Sequence, residues 1–195
     1  MKPSTIALST TLALVASPAL AHTGAAAAAG AAAGFMHPML GLDHVLAMVA
    51  VGLLAAQLGG RALWALPAIF IAAMIAASIV GIAGLPLPLV ELGIAASVIV
   101  LGAMLLFGRH LPVAGAMGLV GAFALFHGHA HGTEMPAAVA ALSYGAGFVA
   151  STLLLHGAGL GLGLATQRVA TRLAPAALRI AGAFVAVTGV LLAAG

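Results

Sequence analysis

The sequence predicts an all-α integral membrane protein in which six transmembrane helices follow a cleaved signal peptide. Composition is the first observation: 64% of the 195 residues are hydrophobic, 5% are charged, and the mean hydropathy is +1.28. A soluble domain usually has about 25% charged residues, so this chain has too few polar side chains to cover a surface that faces water. The other two observations are long apolar segments with brief Gly, Pro and Arg interruptions, and an amino-terminal leader.

The content of charged residues, cysteine and histidine limits the possible functions. The sequence pI near 10.8 comes from six Lys and Arg against three Asp and Glu, and these basic residues form no run. Nucleic-acid binding is therefore not expected. The chain has no cysteine, which excludes disulfides, thiolate metal sites and a cysteine nucleophile. Eight histidines outnumber all the Lys and Arg, and this excess is the first indication of function.

Residues 1–21 have the pattern of a secretory signal. Lys2 supplies the positive charge, residues 5–17 are apolar, Pro18 ends that stretch, and Ala19-Leu20-Ala21 fits the cleavage rule of small residues. The apolar stretch of about 13 residues is shorter than the roughly 20 that a span needs. We predict cleavage after residue 21, with an uncleaved anchor as the alternative.

The remaining chain, residues 22–195, is predicted to form one membrane domain and no soluble domain. Residues 24–34 are a low-complexity Ala/Gly stretch that we interpret as a pliable lead-in. Six apolar segments follow, and each predicts a helix: roughly 38–58, 62–83, 87–107, 112–132, 136–160 and 175–194. Prolines fall near the segment starts and glycines just past several ends, as at helix termini: Pro38, Pro86, Pro88, Pro112, Pro136, Pro175, Gly59, Gly60, Gly84 and Gly108.

Basic residues predict the orientation in the membrane. With a cleaved signal the mature amino terminus lies outside, and the loops then alternate between the two sides. All five arginines fall in or beside the predicted cytoplasmic loops: Arg61, Arg109, Arg168, Arg172 and Arg179. The predicted outer loops have no Lys or Arg, as the positive-inside rule requires. We therefore expect a multi-pass protein of the bacterial inner membrane with both termini in the periplasm.

A first polar cluster occupies residues 37–44, His-Pro-Met-Leu-Gly-Leu-Asp-His. On one continuous helix, His37 and His44 would share a face two turns apart. Gly41 would lie between them and leave room for a bound group. Asp43 is expected either to join the ligands or to orient an imidazole from behind.

A second polar cluster occupies residues 126–134, Phe-His-Gly-His-Ala-His-Gly-Thr-Glu. His127, His131 and Glu134 follow i, i+4, i+7 spacing, which places two imidazoles and a carboxylate on one stripe of a helix. His129 points to roughly the opposite side.

The predicted topology brings the two clusters to the same outer surface. Ionisable groups at membrane depth are costly unless they are paired or hydrated, so they are functional candidates. Imidazole nitrogen with carboxylate oxygen suits Ni²⁺, Co²⁺, Zn²⁺ or Cu²⁺. The candidates for a metal site are six residues of the two clusters, with Asp43 either as a ligand or as the residue that orients one: His37, Asp43, His44, His127, His131 and Glu134.

These motifs closely resemble those of the HupE/UreJ family, accessory nickel permeases associated with hydrogenase and urease maturation. The resemblance rests on His-x5-Asp-His at residues 37–44 and Phe-His-Gly-x-Ala-His-Gly-x-Glu at residues 126–134, and it extends over the whole chain. It implies uptake of nickel, or of cobalt, with the same six residues as the metal site. His129 occupies a variable position of the pattern and gains no support from it.

Further expectations concern five polar residues outside these motifs. Glu91, near the outer start of the third span, is expected to complete the site or to bind a proton. His22 would offer an α-amine and an imidazole after cleavage, unless the terminus is disordered. His156 is expected to pack between helices or to mark an exit, and Arg109-His110 to anchor the cytoplasmic side.

The resulting hypothesis is facilitated entry of Ni²⁺, with the ion as substrate and no permanently bound cofactor. The chain has no Gly-Lys-Ser/Thr phosphate loop, no His-Glu-x-x-His and no Gly-x-Ser-x-Gly, so we expect neither an ATPase nor an enzyme. The alternatives are a membrane-anchored metal sensor or chaperone that faces the periplasm, and a redox protein with bis-histidine haem. A second copy of the chain and a cytoplasmic nickel chaperone remain open as partners.

Overall fold

The computed structural model describes residues 18–107, 111–136, 140–169 and 172–194, with side chains from residue 28 onward. In these ranges the chain forms seven helices and no strand, in agreement with the predicted all-α fold. The helices are α1 (Pro18–Leu40), α2 (Leu42–Leu58), α3 (Ala62–Ile82), α4 (Val90–Phe107), α5 (Val113–Thr133), α6 (Ala141–Val169) and α7 (Ala174–Ala194). Each of α3 to α7 is long and apolar enough to cross a membrane.

The first predicted span, residues 38–58, is not one helix. The carboxyl-terminal part of α1, Ala28–Leu40, meets α2 at an angle of 83°. Gly41 separates the two helices with extended backbone angles of φ −90° and ψ 116°. Pro38 lies inside the last turn of α1 rather than at a helix start, and it cannot donate the backbone hydrogen bond that would continue the ladder. The two helices together can form one broken span.

The Ala/Gly stretch 24–34, which we interpreted as a pliable lead-in, is part of α1. Its small residues allow α1 to approach α6 closely. A Cβ added to Gly34 would overlap the backbone of Tyr144, and one added to Gly147 would overlap the backbone of Ala31. Packing against α6 therefore stabilises a helix that a short Ala/Gly sequence alone would form only marginally.

Two other helices differ from their predicted ranges. Helix α4 begins at Val90 rather than 87, because residues 85–87 have no regular structure and Leu89 has a φ of 59°. Helix α6 begins at Ala141 and continues to Val169, nine residues past the predicted end at 160. The extension packs along α2, where Gln167 Nε2 donates to the carbonyl of Ala56 over 2.9 Å.

Helix α2 lies at the centre of the bundle, and 11 of its 17 residues are buried. It packs against α3, α4 and α6, while α3 packs on α5 and α4 on α7. Glycines occupy the closest helix crossings, where an added Cβ would overlap the opposing backbone: Gly52 and Gly159 between α2 and α6, Gly128 and Gly132 between α3 and α5, and Gly102 and Gly182 between α4 and α7.

Charge is divided between the two ends of the bundle. The chain's three acidic residues, Asp43, Glu91 and Glu134, lie where α2 and α4 begin and α5 ends. We call this the site end. The four described arginines lie at the opposite end, where α2 and α6 end and α3 and α7 begin: Arg61, Arg168, Arg172 and Arg179.

Candidate metal site

The two histidine motifs meet at the site end and form two overlapping groups of potential metal ligands. In the first group, His44, His127 and His131 each offer a ligand atom, and these atoms lie within 4.8 Å of one another. All three side chains are buried, and we call this group the buried triad. His37, His131 and Glu134 meet the same distance limit and form the rim triad. His131 belongs to both triads.

The break at Gly41 brings His37 and His44 together in a way that one helix would not. On a continuous helix, seven residues would separate them by about 10 Å along the axis. Instead they lie on α1 and α2, with ring centroids 6.5 Å apart. Gly41 does not leave a vacant space as expected: a Cβ there would lie 2.8 Å from both Asp43 Oδ1 and His44 Nδ1. A larger residue at position 41 would thus have to displace the side chains of the Asp43–His44 pair.

Asp43 orients His44 through one carboxylate oxygen that accepts two hydrogen bonds. Oδ1 of Asp43 lies 2.7 Å from Nδ1 of His44 and accepts from the His44 backbone N–H over 2.8 Å. The Nδ1–H group of the ring therefore donates to the carboxylate, which leaves the Nε2 lone pair for a metal. Nε2 of His44 is buried and has no hydrogen-bond partner in the described parts of the chain. Of the two roles expected for Asp43, this geometry favours orientation over direct ligation.

Ser97 orients His127 from the opposite side, through α4. The Ser97 hydroxyl donates its single proton to the carbonyl of Ile94 over 2.6 Å. Its oxygen therefore accepts from Nε2–H of His127, at 2.8 Å. The lone pair of His127 then lies on Nδ1, which is buried without a partner among the described residues. The lone pairs of His44 and His127 are thus left on opposite ring nitrogens.

Ser97 was not identified from the sequence. Its signal is weak, since it is one of two polar residues in the apolar helix α4, the other being Glu91. A serine in a transmembrane helix commonly bonds to its own backbone, and Ser97 does so as well. The second contact of Ser97, with His127 on the neighbouring helix, becomes visible only in the three-dimensional structure.

His131 lies at the junction of the two triads. Its ring centroid is 4.4 Å from that of His44, 4.8 Å from that of His37, and 4.0 Å from that of Phe148. Both of its ring nitrogens are buried and have no hydrogen-bond partner in the described part of the chain. Either nitrogen can therefore carry the lone pair that a bound ion requires.

The rim triad is open to the surroundings and carries the carboxylate. Nε2 of His37 lies 3.1 Å from Oε2 of Glu134, and the two side chains are 30% and 50% exposed. Tyr144 packs nearby, with its ring centroid 6.0 Å from that of His37. A hydrated cation arriving at this end would meet the rim triad before the buried triad.

The weaker candidates lie outside both triads. His129 faces the α3–α4 loop, where Nε2 lies 2.8 Å from the carbonyl of Leu85. Glu91 is exposed and lines a cavity of about 300 Å³ together with Asp43. The side chain of His22 and the pair at 109–110 lie outside the described residues.

His156 lies deeper in the bundle, on α6. It is 2% exposed and stacks edge-on against Phe70, with ring centroids 5.0 Å apart. Phe70 also approaches His127, at 5.9 Å. Neither nitrogen of His156 has a hydrogen-bond partner among the described residues, so the ring packs between helices one step below the buried triad.

The donor set suits a borderline transition metal. Neutral imidazole and carboxylate are ligands for Ni²⁺, Co²⁺, Cu²⁺ and Zn²⁺. With metal–nitrogen bonds of about 2.0–2.1 Å, neighbouring donors lie about 3.0–3.4 Å apart, so an ion would draw the triad atoms inward. The described triad histidines stand in ring-to-ring contact, which leaves no room for a porphyrin between them.

Comparison with known proteins identifies the family of this chain. Residues 10–192 match the family described as HupE / UreJ protein. The chain is 44% identical over 189 residues to Protein HupE of Rhizobium leguminosarum bv. viciae, which covers 96% of this chain and 97% of that protein. No solved structure matches the chain. Both histidine motifs thus occur in a chain that matches over nearly its whole length, and the protein belongs to the HupE / UreJ family.

Proposed function

We propose that this protein is an inner-membrane permease that takes up Ni²⁺, with Co²⁺ as the alternative substrate, for maturation of hydrogenase or urease. The observation that carries the proposal is the pair of overlapping triads, which places four imidazoles and a carboxylate at one end of an apolar helical bundle. Ionisable groups in such a setting mark ion pathways. Membership of the HupE / UreJ family supports nickel as the ion.

The proposed orientation places the site end at the periplasm. Helices α1 and α2 would form one broken span, so that six spans leave both termini outside after cleavage of residues 1–21. The arginine-rich end would face the cytoplasm in accordance with the positive-inside rule. The acidic end would then face the compartment from which the cation arrives.

In the proposed mechanism, hydrated Ni²⁺ exchanges waters for the ligands of the rim triad and passes to the buried triad. Inward movement of a divalent cation gains about 4.6 kcal/mol per 100 mV of membrane potential, at about 2.3 kcal/mol for each charge. No ATP is therefore required. Conduction needs ligands that hold the ion weakly enough to release it, which an incomplete coordination shell of three protein donors provides.

The proposal is tested by ⁶³Ni accumulation in nickel-starved cells that express the wild type, His44→Ala or His129→Gln at matched membrane levels. His129 lies outside both triads, and the glutamine keeps a donor for Leu85. We expect protein-dependent uptake that His44→Ala abolishes and His129→Gln preserves, and unlabelled cobalt as competitor sets the selectivity. Metal binding without any protein-dependent uptake would overturn the permease and favour a sensor or chaperone.

A further inference from the structure

We propose that the histidine cluster is not one six-ligand site but two metal sites that share His131, so that each chain holds one ion at a time. An ion would bind first in the rim triad and then in the buried triad. The order of transfer rests on the proposed function, whereas the sharing of one ligand is a property of the binding site alone.

The two triads differ in depth. Glu134 follows the last residue of α5, His131 lies in its last turn, and His127 lies a further turn inward. Four residues of helix correspond to about 6 Å along the axis. Exposure follows the same order, from 50% for the Glu134 side chain to complete burial of His127. The triads are therefore successive positions along one path.

His131 differs from the other two histidines of the buried triad in its hydrogen bonding. Asp43 fixes the ring of His44, and Ser97 fixes the ring of His127. Both nitrogens of His131 are buried and have no partner among the described residues. Nothing in this part of the chain therefore selects one tautomer, and His131 is a potential ligand in both triads.

A neutral imidazole has a lone pair on only one nitrogen, because the other carries the proton. His131 can therefore bind an ion in one triad at a time. When it binds in the rim triad, the buried triad is reduced to His44 and His127. When it binds in the buried triad, the rim is reduced to His37 and Glu134. Mutual exclusion follows directly from the sharing of this ring.

The two sites also differ in charge. The rim triad includes the Glu134 carboxylate, whereas the buried triad consists of three imidazoles. A carboxylate favours capture of a dication that is still partly hydrated. The buried triad has no carboxylate among its own donors, because the Asp43 carboxylate faces His44 Nδ1 rather than the ion. It therefore attracts the same ion less directly, so the ion moves from a capturing site to one that releases it, as conduction requires.

The proposal predicts a specific pattern of stoichiometry in purified, detergent-solubilised full-length protein titrated with Ni²⁺ in a calorimeter. The wild type should bind one ion per chain. Glu134→Gln, which disables the rim triad, should still bind one ion, and so should His127→Gln, which disables the buried triad. The double variant Glu134→Gln/His127→Gln and the single variant His131→Gln should bind none. His129→Gln serves as the matched histidine control and should bind one ion.

Absorption spectra of the Co²⁺-loaded proteins identify which donors hold the ion. The d–d bands of Glu134→Gln and His127→Gln should differ, because the first retains three imidazoles and the second retains a carboxylate. If His131→Gln fails to fold, as judged by gel filtration and circular dichroism, Glu134→Gln and His127→Gln still test the proposal. Two ions bound to the wild type would overturn the sharing of His131, and loss of all binding in either of those two variants would show a single site. The titrations and the spectra use no transport assay, so a failure of nickel uptake in cells would not contradict their result.

Discussion

Ser97 accepts a hydrogen bond from His127 in the interior of the bundle, with 2.8 Å between Oγ and Nε2. Both side chains are fully buried, and the serine proton is engaged by the carbonyl of Ile94. A hydroxyl in an apolar helix thereby determines which nitrogen of a histidine on the neighbouring helix can bind a metal. Asp43 does the same for His44 from the other side of the triad.

The first prediction concerns Ser97 as a positioning residue. Ser97→Ala removes the acceptor for His127 Nε2–H, so the ring loses its fixed tautomer. Loss of such a contact behind a ligand typically weakens metal binding about 10- to 100-fold. We expect a loss of this size in Ni²⁺ affinity, together with a change in the ¹⁵N chemical shifts of the His127 ring that reports the tautomer.

Two variants control for packing effects at Ser97. Ser97→Thr keeps the hydroxyl and should restore most of the affinity. Ser151→Ala removes another buried serine hydroxyl, one that has no hydrogen-bond partner in the described chain, and should leave the affinity unchanged. Wild-type affinity and an unchanged tautomer in Ser97→Ala would contradict the assigned role.

The second prediction concerns Asp43. Asp43→Asn keeps the size of the side chain but removes the negative charge that faces His44 Nδ1–H at 2.7 Å. The His44 ring should become a poorer metal ligand, and Ni²⁺ affinity should fall about 10- to 100-fold. Calorimetric titration of the folded variant measures the change. An Asn variant that binds nickel as tightly as the wild type would show that the carboxylate does not support the triad.

The third prediction concerns helix packing. A Cβ at Gly128 would overlap the backbone of Met74, where α5 crosses α3, whereas one at Gly118 on the same helix meets nothing within 4 Å. Gly128→Ala should therefore destabilise the protein by about 1–3 kcal/mol, the typical cost of overpacking. Gly118→Ala should be neutral or slightly stabilising, because alanine favours helix by up to about 1 kcal/mol over glycine. Thermal unfolding in detergent compares the two, and equal midpoints would refute the close crossing.

Helical periodicity was sufficient to predict part of the site. The i, i+4 spacing predicted that His127 and His131 lie one turn apart on α5, and Glu134 directly follows the last residue of that helix. Successive helices joined by short loops run in opposite directions, and this alternation correctly predicted that α2 begins at the same end. Both inferences depend only on regular helix geometry, which apolar sequence of this length imposes.

The parts that sequence did not predict depend on contacts between helices. Helical periodicity predicts one continuous helix over residues 38–58. It gives no information about the 83° bend at Gly41, which places His37 and His44 on different helices. The length of α6 depends on its packing along α2. The role of Ser97 depends on a neighbour 30 residues away. Each of these is a tertiary effect that overrides local pattern.

The most direct test of the central claim is ⁶³Ni²⁺ entry into liposomes that contain only the purified protein, with a potassium-diffusion potential set negative inside. We predict uptake that rises with the potential, is absent from protein-free liposomes, and is lost in His44→Ala while His129→Gln retains it. Protein that binds nickel in detergent but admits none to the liposomes at any potential would contradict the account of this chain as a permease.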